Sequence, residues 1–208
     1  MEISKSYDDW SKTYDLLENK TRDLDESVTR KNLGGCRFDS ALELGCGTGK
    51  NTPFLSEISK TVHAVDFSEG MISKAQKNVE LSNVKYSICD ITKTWPCDSQ
   101  SMDLVLCSLV LEHVENLDFI FAESERTLKM GGTLYISELH PYQQYMGKKA
   151  RFNSANGEQH ITSFIHSISD YLEVVNSHHF TLLNMKEWNE DDSVTQPPRI
   201  ATFLFERT

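Results

Sequence analysis

Three acidic residues end or directly follow short apolar runs in the first half of the chain: Glu43, Asp66 and Asp90. After the first of them, glycine occurs at every second position from Gly45 to Gly49. A glycine turn lets a ligand approach bare backbone, and the start of a following helix offers unpaired N–H groups. About twenty residues after such a loop, a carboxylate can accept hydrogen bonds from both hydroxyls of a ribose. The spacing therefore indicates a nucleoside-binding site.

The glycine loop departs from the dinucleotide-binding pattern. That pattern, Gly-x-Gly-x-x-Gly, needs a glycine at position 50, where Lys50 stands. Glu43 comes two residues before the first glycine, and its carboxylate suits a cationic ligand better than a pyrophosphate. Two simpler interpretations stay open at this point. The loop could be an ordinary turn of an α/β protein, and Glu43 could cap a helix.

The hydrophobic pattern predicts the elements that position these residues. Apolar runs alternate with helical segments, which predicts a parallel sheet with helices on both faces. The last two runs have no helix between them and predict an antiparallel hairpin. Gly131 and Gly132 are expected to separate a helix from the fifth strand. Strands are predicted at 39–44, 61–65, 84–89, 102–107, 133–139, 181–188 and 200–206, and helices at 23–33, 51–59, 69–81, 117–128 and 169–178.

Two segments fall outside this alternation. Residues 1–35 carry Tyr7, Trp10 and Tyr14 at three- and four-residue spacing, which predicts one helix face packed on the main domain. Residues 140–168 are polar and have no clean period, and such irregular segments in compact domains are often functional. No repeat or linker divides the sequence, so a single domain over residues 1–208 is predicted.

The composition argues against several classes of protein. The net charge of −10 disfavours a nucleic-acid partner, because a polyanion would be repelled. Five scattered cysteines without a Cys-x-x-Cys pair are interpreted as thiols in a reducing compartment. No apolar run has membrane-spanning length. We therefore expect a cytoplasmic protein without membrane contact. No metal site is predicted. The sequence does not decide between a monomer and a homodimer.

The Glu-x-Gly-x-Gly-x-Gly run that starts at Glu43 resembles the first motif of the class I S-adenosylmethionine-dependent methyltransferases. Residues 108–114 resemble the segment after the fourth strand in their small-molecule, ubiquinone-methylase-like group. The resemblance covers residues 38–139 well. It implies a single Rossmann-like domain with a mostly parallel seven-stranded sheet. It also implies S-adenosyl-L-methionine as cofactor, S-adenosyl-L-homocysteine as product, and methyl transfer to an oxygen or nitrogen nucleophile of a small molecule.

The resemblance further implies roles for single residues. The glycine loop would pass under the methionine and ribose parts of the cofactor, and Asp66 would bind the ribose. Asp90 would contact the adenine amino group. For His113, a role on the acceptor side stays open. The cofactor-binding residues implied in this way are Glu43, Gly45, Gly47, Gly49, Asp66, Phe67, Met71, Asp90, Ile91, Ser108, Leu109 and His113.

On the acceptor side, His140 at the end of the fifth strand is the candidate general base. The alternative is a histidine that caps the strand or bonds to backbone. The family resemblance implies that residues 1–35 form a helical cover over the pocket and that residues 140–168 form an acceptor lid. The substrate-side candidates are Tyr14, His140, Tyr145, Arg151 and His166.

Other functions compete with methylation of a small molecule. A protein or peptide methyltransferase and a non-catalytic S-adenosylmethionine-binding scaffold would use the same fold. An RNA methyltransferase is disfavoured by the acidic charge, and the Asn/Asp-Pro-Pro-Tyr/Phe signature of nucleic-acid amino methylases is missing. A nicotinamide-dependent oxidoreductase is disfavoured by Lys50 and by Glu43.

Overall fold

The computed structural model describes residues 7, 8, 10, 11, 14, 18–148, 151–154, 157–160, 162–190 and 196–208, with the backbone alone for 151–154 and 157–160. A seven-stranded sheet and a separate two-stranded hairpin are formed. In chain order, the strands are β1 (Phe38–Leu44), β2 (Ser59–Asp66), β3 (Val84–Ile88), β4 (Met102–Ser108), β5 (Leu128–Leu139), β6 (Arg151–Ser154), β7 (Gly157–His160), β8 (Phe180–Trp188) and β9 (Ile200–Arg207).

Side chains at the helix starts explain where several helices begin. Ser68 accepts a hydrogen bond from the N–H of Met71, and Ser167 forms a capping box with Asp170. Within the described part of the chain, no helix has the length and apolar character needed to cross a membrane. The helices are α1 (Lys20–Leu33), α2 (Thr52–Ile58), α3 (Glu69–Asn78), α4 (Leu117–Thr127), α5 (Pro141–Tyr145) and α6 (Ile168–Val175), and a 3₁₀ turn covers Leu111–His113.

The strand order in the main sheet is β3-β2-β1-β4-β5-β9-β8. β1 pairs in parallel with both β2 and β4, whereas β9 is antiparallel to both β5 and β8. The predicted mostly parallel sheet with a C-terminal antiparallel hairpin is therefore confirmed. The chain moves outward from β1 to β3 and then crosses to β4, so the order reverses between β1 and β4. In open sheets of this kind, ligands bind at the carboxyl ends of the strands beside such a switch point.

Helices cover both faces of the sheet. On one face, Leu33 of α1 and Leu55 of α2 pack against Tyr135 of β5. On the other face, Phe121 of α4 and Tyr171 of α6 belong to a second buried cluster. Burial of an apolar side chain of this size contributes about 1.5–3 kcal/mol. Because both faces are covered, the central strands are apolar on both sides, which explains their continuous hydrophobic runs.

The fifth strand begins earlier than predicted. It starts at Leu128, which pairs with Met102 of β4. Leu104 of β4 pairs with Thr133, so β5 has more residues than β4 between these two pairs. The extra residues of β5 form a bulge. Gly131 lies in this bulge with a φ of +74°, a left-handed conformation that favours glycine. The paired glycines therefore lie inside the strand, and the expectation that they precede it is corrected.

The segment 140–168 contains more regular structure than its sequence indicated. The short helix α5 follows His140, and β6 and β7 pair as an antiparallel hairpin. The hairpin sequences RFNS and GEQH have no apolar alternation from which strands could be predicted. A second difference concerns α3, which ends at Asn78 rather than 81. The next residue, Val79, already has a non-helical φ of −132°.

Gly45→Ala is expected to destabilise the protein more than Gly131→Ala. Both positions have positive φ values, +67° and +74°, so each alanine incurs a strain of about 1–2 kcal/mol. At Gly45, the added Cβ would also lie 2.4 Å from Cγ2 of Val110, whereas at Gly131 it would meet nothing within 4 Å. Urea unfolding should therefore show a further loss of about 1–3 kcal/mol for Gly45→Ala. Equal losses for the two variants would contradict this close packing.

Candidate active site

A pocket lies at the carboxyl ends of β1, β2 and β4, at the switch point of the sheet. It encloses about 660 Å³, part of which is open to solvent. The fold brings residues from several separate segments of the sequence to this place. The sequence-predicted site residues that line the pocket are Tyr14, Glu43, Gly45, Gly47, Asp66, Phe67, Met71, Ser108, Leu109 and His113.

The glycine loop turns at the base of the pocket. Gly45 and Gly47 have φ values of +67° and +54°. The N–H of Gly47 donates to Oδ2 of Asp66 at 3.0 Å, and the N–H of Cys46 donates to the carbonyl of Val65 at 2.9 Å. These bonds hold the loop against the end of β2. A Cβ added at Gly47 would meet nothing within 4 Å, so a ligand can reach the loop backbone there.

Asp66 is a buried and oriented hydrogen-bond acceptor. Its two oxygens accept from the N–H of Gly47 at 3.0 Å and from the N–H of Ser68 at 2.9 Å. Burial raises the pKa of this carboxyl to about 6, although the backbone hydrogen bonds act in the opposite direction. At neutral pH the group is therefore largely ionised. Each carboxylate oxygen has two lone pairs, so Asp66 can still accept bonds from a ligand.

Glu43 is more deeply enclosed, with 2% of its surface exposed. Its Oε2 accepts a hydrogen bond from Oγ1 of Thr52 at 2.6 Å. Burial raises the pKa of Glu43 to about 8, so the carboxyl is mostly protonated at neutral pH. Because Thr52 opens α2, the bond connects the end of β1 to the helix that follows the glycine loop.

Asp25 of α1 is a pocket residue that sequence reasoning missed. Its buried carboxylate accepts from Oγ of Ser108 at 2.6 Å and from Nδ2 of Asn51 at 3.0 Å. Burial raises the pKa of this carboxyl as well. The network joins α1 to the end of β4 and to the start of α2. Asp25 stands between other charged residues of a polar helix, so no local sequence signal distinguishes it.

Glu138 of β5 positions the segment that follows β4. Its Oε1 accepts the N–H groups of Val110 at 2.9 Å and Leu111 at 2.8 Å. Leu109 has a φ of +50°, and its N–H donates to the carbonyl of Ser137. A leucine in this left-handed region is strained, and the neighbouring bonds hold it there. Burial raises the pKa of Glu138 to about 8.

Two aromatic residues from the N-terminal segment, Tyr7 and Tyr14, line part of the pocket. The hydroxyl of Tyr7 is 2.6 Å from Nε2 of His113, and the Tyr7 ring centroid is 5.3 Å from that of Phe67. The guanidinium of Arg22 lies 4.1 Å from the ring centroid of Tyr14 and donates to the Tyr14 carbonyl. The described residues of this segment therefore contribute directly to the pocket wall.

Three residues that the resemblance implied as cofactor contacts lie outside the pocket lining. Asp90 accepts hydrogen bonds within its own turn and pairs with Lys93 at 3.0 Å. Ile91 is buried in the hydrophobic core. Gly49 faces α3, where an added Cβ would lie 3.1 Å from a methyl carbon of Val79. In the structure, Asp90 thus belongs to a turn, Ile91 to the core and Gly49 to a contact with a helix.

His140, the candidate general base, also lies outside the pocket lining. It is the N-cap of α5, and its Nδ1 accepts the N–H of Tyr142 at 3.1 Å. Its Nε2 is 2.7 Å from a carboxylate oxygen of Glu187. Both ring nitrogens are thus engaged within the fold. This geometry is that of the capping alternative, and the role of His140 as a general base stays a prediction.

The remaining acceptor-side candidates are not gathered at the pocket. Tyr145 is 66% exposed on α5. His166 has its Nε2 2.7 Å from the carbonyl oxygen of Val114. Arg151 belongs to β6, and its side chain lies outside the described part of the structure. In the part of the chain that the structure describes, no group of three or more His, Cys, Asp or Glu residues could hold a metal ion.

Comparison with known proteins links this site to a family. A family model described as a methyltransferase domain matches residues 42–136. The malonyl-[acyl-carrier protein] O-methyltransferase of Hahella chejuensis is 27% identical over 165 residues, which are 78% of this chain and 58% of that protein. The thiol S-methyltransferase TMT1B of Mus musculus is 32% identical over 133 residues, 62% of this chain and 53% of that protein. The chain thus spans little more than half the length of these relatives.

Solved structures share the fold at low sequence identity. An S-adenosylmethionine-dependent methyltransferase from Clostridium acetobutylicum has a TM-score of 0.69 at 17% identity, covering 95% of this chain and 96% of that one. The N-methyltransferase NodS from Bradyrhizobium japonicum, in complex with S-adenosyl-L-homocysteine, has a TM-score of 0.66 at 16% identity. The match covers 89% of this chain and 86% of that one. These similarities show that the chain has the fold of S-adenosylmethionine-dependent methyltransferases.

Residues 42–136 match a methyltransferase domain, and the solved methyltransferase that shares this fold depends on S-adenosylmethionine as its cofactor.

The pocket suits that cofactor, which carries a sulfonium and an ammonium group. Asp25, Glu43 and Asp66 line it beside Arg22 and Lys50, so three carboxyl groups and two cationic side chains border the space. A cation in a site of this kind is favoured because an opposite charge stabilises the ionised carboxylates. In addition, Oδ1 of Asn51 is buried without a hydrogen-bond partner in the described part of the chain. The site therefore has an unmet acceptor that a donor group of a ligand can satisfy.

Glu138→Gln is expected to weaken the pH dependence of stability. Burial raises the folded-state pKa of Glu138 to about 8, so the folded protein keeps a proton that the unfolded chain loses near its ordinary pKa of about 4.3. The stability linked to this group is present below that value and is lost as the pH rises towards 8. Glutamine keeps an acceptor oxygen for the N–H groups of Val110 and Leu111 but carries no charge.

The free energy of urea unfolding at pH 5, 6.5 and 8 measures this effect. Between pH 5 and 8, the wild-type protein should lose at least about 1 kcal/mol more stability than Glu138→Gln, since one pKa unit corresponds to about 1.4 kcal/mol. Glu115→Gln, which removes an exposed acid, should keep the wild-type slope. Parallel slopes for the wild type and Glu138→Gln would contradict a protonated Glu138.

Proposed function

We propose that the protein transfers the methyl group of S-adenosylmethionine to a nucleophile of a small molecule. The observation that carries the proposal is the carboxylate of Asp66. Two backbone N–H groups orient it at the end of β2, beside the glycine loop of an acid-lined pocket. In nucleoside-binding sheets, a carboxylate at this place accepts hydrogen bonds from the ribose hydroxyls.

Different parts of the pocket match different parts of the cofactor. Asp66 would bind the ribose, and Phe67 with Met71 would pack on the adenine. The glycine loop, Ser108 and the acceptor oxygen of Asn51 would surround the methionine part. When bound, the sulfonium supplies a methyl group that is already activated for displacement by a nucleophile. The roles of Asp66, Phe67, Met71 and Ser108 implied by the family resemblance are thereby kept as parts of this proposal.

The chain's own contribution is alignment and the exclusion of water. Tyr7, Tyr14 and His113 line the same pocket as the candidate cofactor-binding residues, so an acceptor bound beside them would be held in a restricted position. Alignment of two reactants in this way lowers a barrier by several kcal/mol, up to roughly 7–11 kcal/mol in favourable cases. An acceptor that reacts as an anion or a free amine needs no further help from the protein.

We assign residues 1–35 to a cover and residues 140–168 to an acceptor lid within one domain of residues 1–208. Contacts of Tyr7 with Phe67 support the cover. The lid assignment is supported by the N–H of Phe164, which donates to the carbonyl of Glu112 at 2.7 Å beside the pocket. Relatives named for methylating a carrier-bound malonyl group and thiols favour an acceptor group of few atoms.

Calorimetric titration with S-adenosylmethionine, S-adenosylhomocysteine and NADH tests the proposal. We expect both adenosyl ligands to bind and NADH not to bind. Labelled S-adenosylmethionine is then offered with catechol, small amines, small carboxylic acids, 2-mercaptoethanol and a peptide pool. Turnover of the peptide pool alone would favour a protein methyltransferase, and binding without any turnover would favour a scaffold. Absence of adenosyl binding would overturn the proposal.

Asp66→Asn is expected to weaken S-adenosylhomocysteine binding by about 10- to 100-fold. The variant removes a charged acceptor, and hydrogen bonds to charged groups contribute about 1.5–3 kcal/mol. Asp90→Asn is the matched control, because Asp90 also follows a strand but lies outside the pocket lining. Its affinity should stay within about twofold of the wild-type value, measured by the same calorimetry. Equal losses in both variants would contradict the assignment of Asp66.

A further inference from the structure

Tyr7 and His113 form a hydrogen-bonded pair in the wall of the pocket. Oη of Tyr7 lies 2.6 Å from Nε2 of His113, and the ring centroids are 5.5 Å apart in an edge-on arrangement. Both residues line the pocket that also contains the glycine loop. Tyr7 comes from the N-terminal cover and His113 from the 3₁₀ turn after β4. The pair therefore forms where two separate segments meet.

The surroundings of His113 determine the direction of this hydrogen bond. Its Nδ1 lies 3.0 Å from the carbonyl oxygen of Thr162. A carbonyl can only accept, so Nδ1 carries the proton in the neutral ring, and Nε2 is then the unprotonated nitrogen. The Tyr7 hydroxyl therefore donates to Nε2. The histidine is arranged to receive a proton on the side that faces Tyr7.

A carboxylate stands ready to stabilise the protonated ring. Oε1 of Glu112 lies 3.9 Å from Nε2 of His113, and the other oxygen accepts a hydrogen bond from Nε2 of Gln144. The N–H of Phe164 donates to the Glu112 carbonyl and holds this backbone in place. An imidazolium formed at His113 would thus lie beside a carboxyl group.

We propose that Tyr7 and His113 remove the proton from a methyl acceptor that reacts as a hydroxyl or another protonated group. The proposal rests on the proposed methyltransferase function. The acceptor X–H lies against Oη of Tyr7. As the X–CH₃ bond forms and the carbon–sulfur bond of the sulfonium breaks, the electron pair of that bond passes to sulfur. The X–H proton moves to Oη, and the Tyr7 proton moves to Nε2 of His113. Tyr7 ends neutral and His113 ends as imidazolium.

Tyr7 cannot serve as the base by itself. Burial raises the pKa of its hydroxyl well above the usual value, and nearby acidic groups act in the same direction. Tyr7 therefore keeps its proton at neutral pH and can only pass a proton on. Of the described histidines, His113 is the one that lines the pocket, whereas His140 and His166 are engaged elsewhere. The titratable groups that act on Tyr7 are Tyr14, Asp66, Glu112 and Glu138.

NMR of the full chain with ¹⁵N-labelled histidine tests the arrangement without any acceptor. The His113→Gln spectrum identifies the His113 signals among those of the seven histidines. We expect neutral His113 to carry its proton on Nδ1 and to have an unprotonated Nε2. Tyr7→Phe should shift the Nε2 signal of His113 and leave the other histidines unchanged. A neutral ring protonated on Nε2, or an Nε2 signal that does not respond to Tyr7→Phe, would overturn the proposal.

Turnover of two acceptors gives the second readout. Catechol must lose a proton when it is methylated, whereas dimethyl sulfide has none to lose. His113→Gln and Tyr7→Phe should lower methylation of catechol by at least about 100-fold and lower methylation of dimethyl sulfide by a clearly smaller factor. His179→Gln, which alters an exposed histidine, is the control. Equal losses for both acceptors would overturn the proposal, and if neither acceptor reacts, the tautomer of His113 in the NMR spectrum decides.

Calorimetry with S-adenosylhomocysteine separates this proposal from the proposed function. Tyr7→Phe keeps the ring that contacts Phe67, so its affinity should stay within about threefold of the wild-type value. If the wild-type chain does not bind S-adenosylhomocysteine, the methyltransferase function itself fails. If binding is intact but His113 has the wrong tautomer, the function stands and the proton-transfer proposal alone fails.

Discussion

The site depends on the hydrogen bonds that tie the end of β2 to the glycine loop. Asp66 accepts the N–H groups of Gly47 and Ser68, so one carboxylate orients both the loop after β1 and the start of α3. Gly45 allows the loop to pass Val110 at a distance where no Cβ can be accommodated. A ligand at the switch point therefore meets bare backbone and an oriented carboxylate at positions that the parallel sheet determines.

Burial of several carboxyl groups at one edge of the sheet has a cost, because charges lose their hydration there. Hydrogen bonds from neighbouring segments offset part of it: Thr52 donates to Glu43, and Ser108 to Asp25. Burial nevertheless raises the pKa values of Glu43 and Glu138 to about 8. A bound cation would favour the ionised forms of the pocket acids. Ligand binding, the protonation of these acids and the stability of the fold are thus linked.

Local features of the sequence predicted the sheet and the glycine loop well. Parallel strands that are buried on both faces give continuous apolar runs. The positive φ values of the loop favour glycine. The strands and the loop therefore each leave a recognisable pattern in the sequence. The start of β5 was misplaced because Gly131 suggests a stop, although in the structure it occupies a bulge. Asp25 was missed because it pairs with Ser108, 83 positions away. His140 was correctly placed at a strand end, but no local pattern could reveal that Glu187 of another strand would engage its ring.

Binding of an adenosyl ligand in this pocket can be measured by NMR of the chain labelled with ¹³C at the methionine methyl groups, titrated with S-adenosylhomocysteine. The chain has six methionines, of which Met71 lines the pocket, while Met130 and Met146 are exposed elsewhere. We expect the Met71 signal to shift on saturation and the signals of Met130 and Met146 to stay in place. An unchanged Met71 signal, or a larger shift at one of the two exposed methionines, would show that the adenosyl ligand does not occupy this pocket.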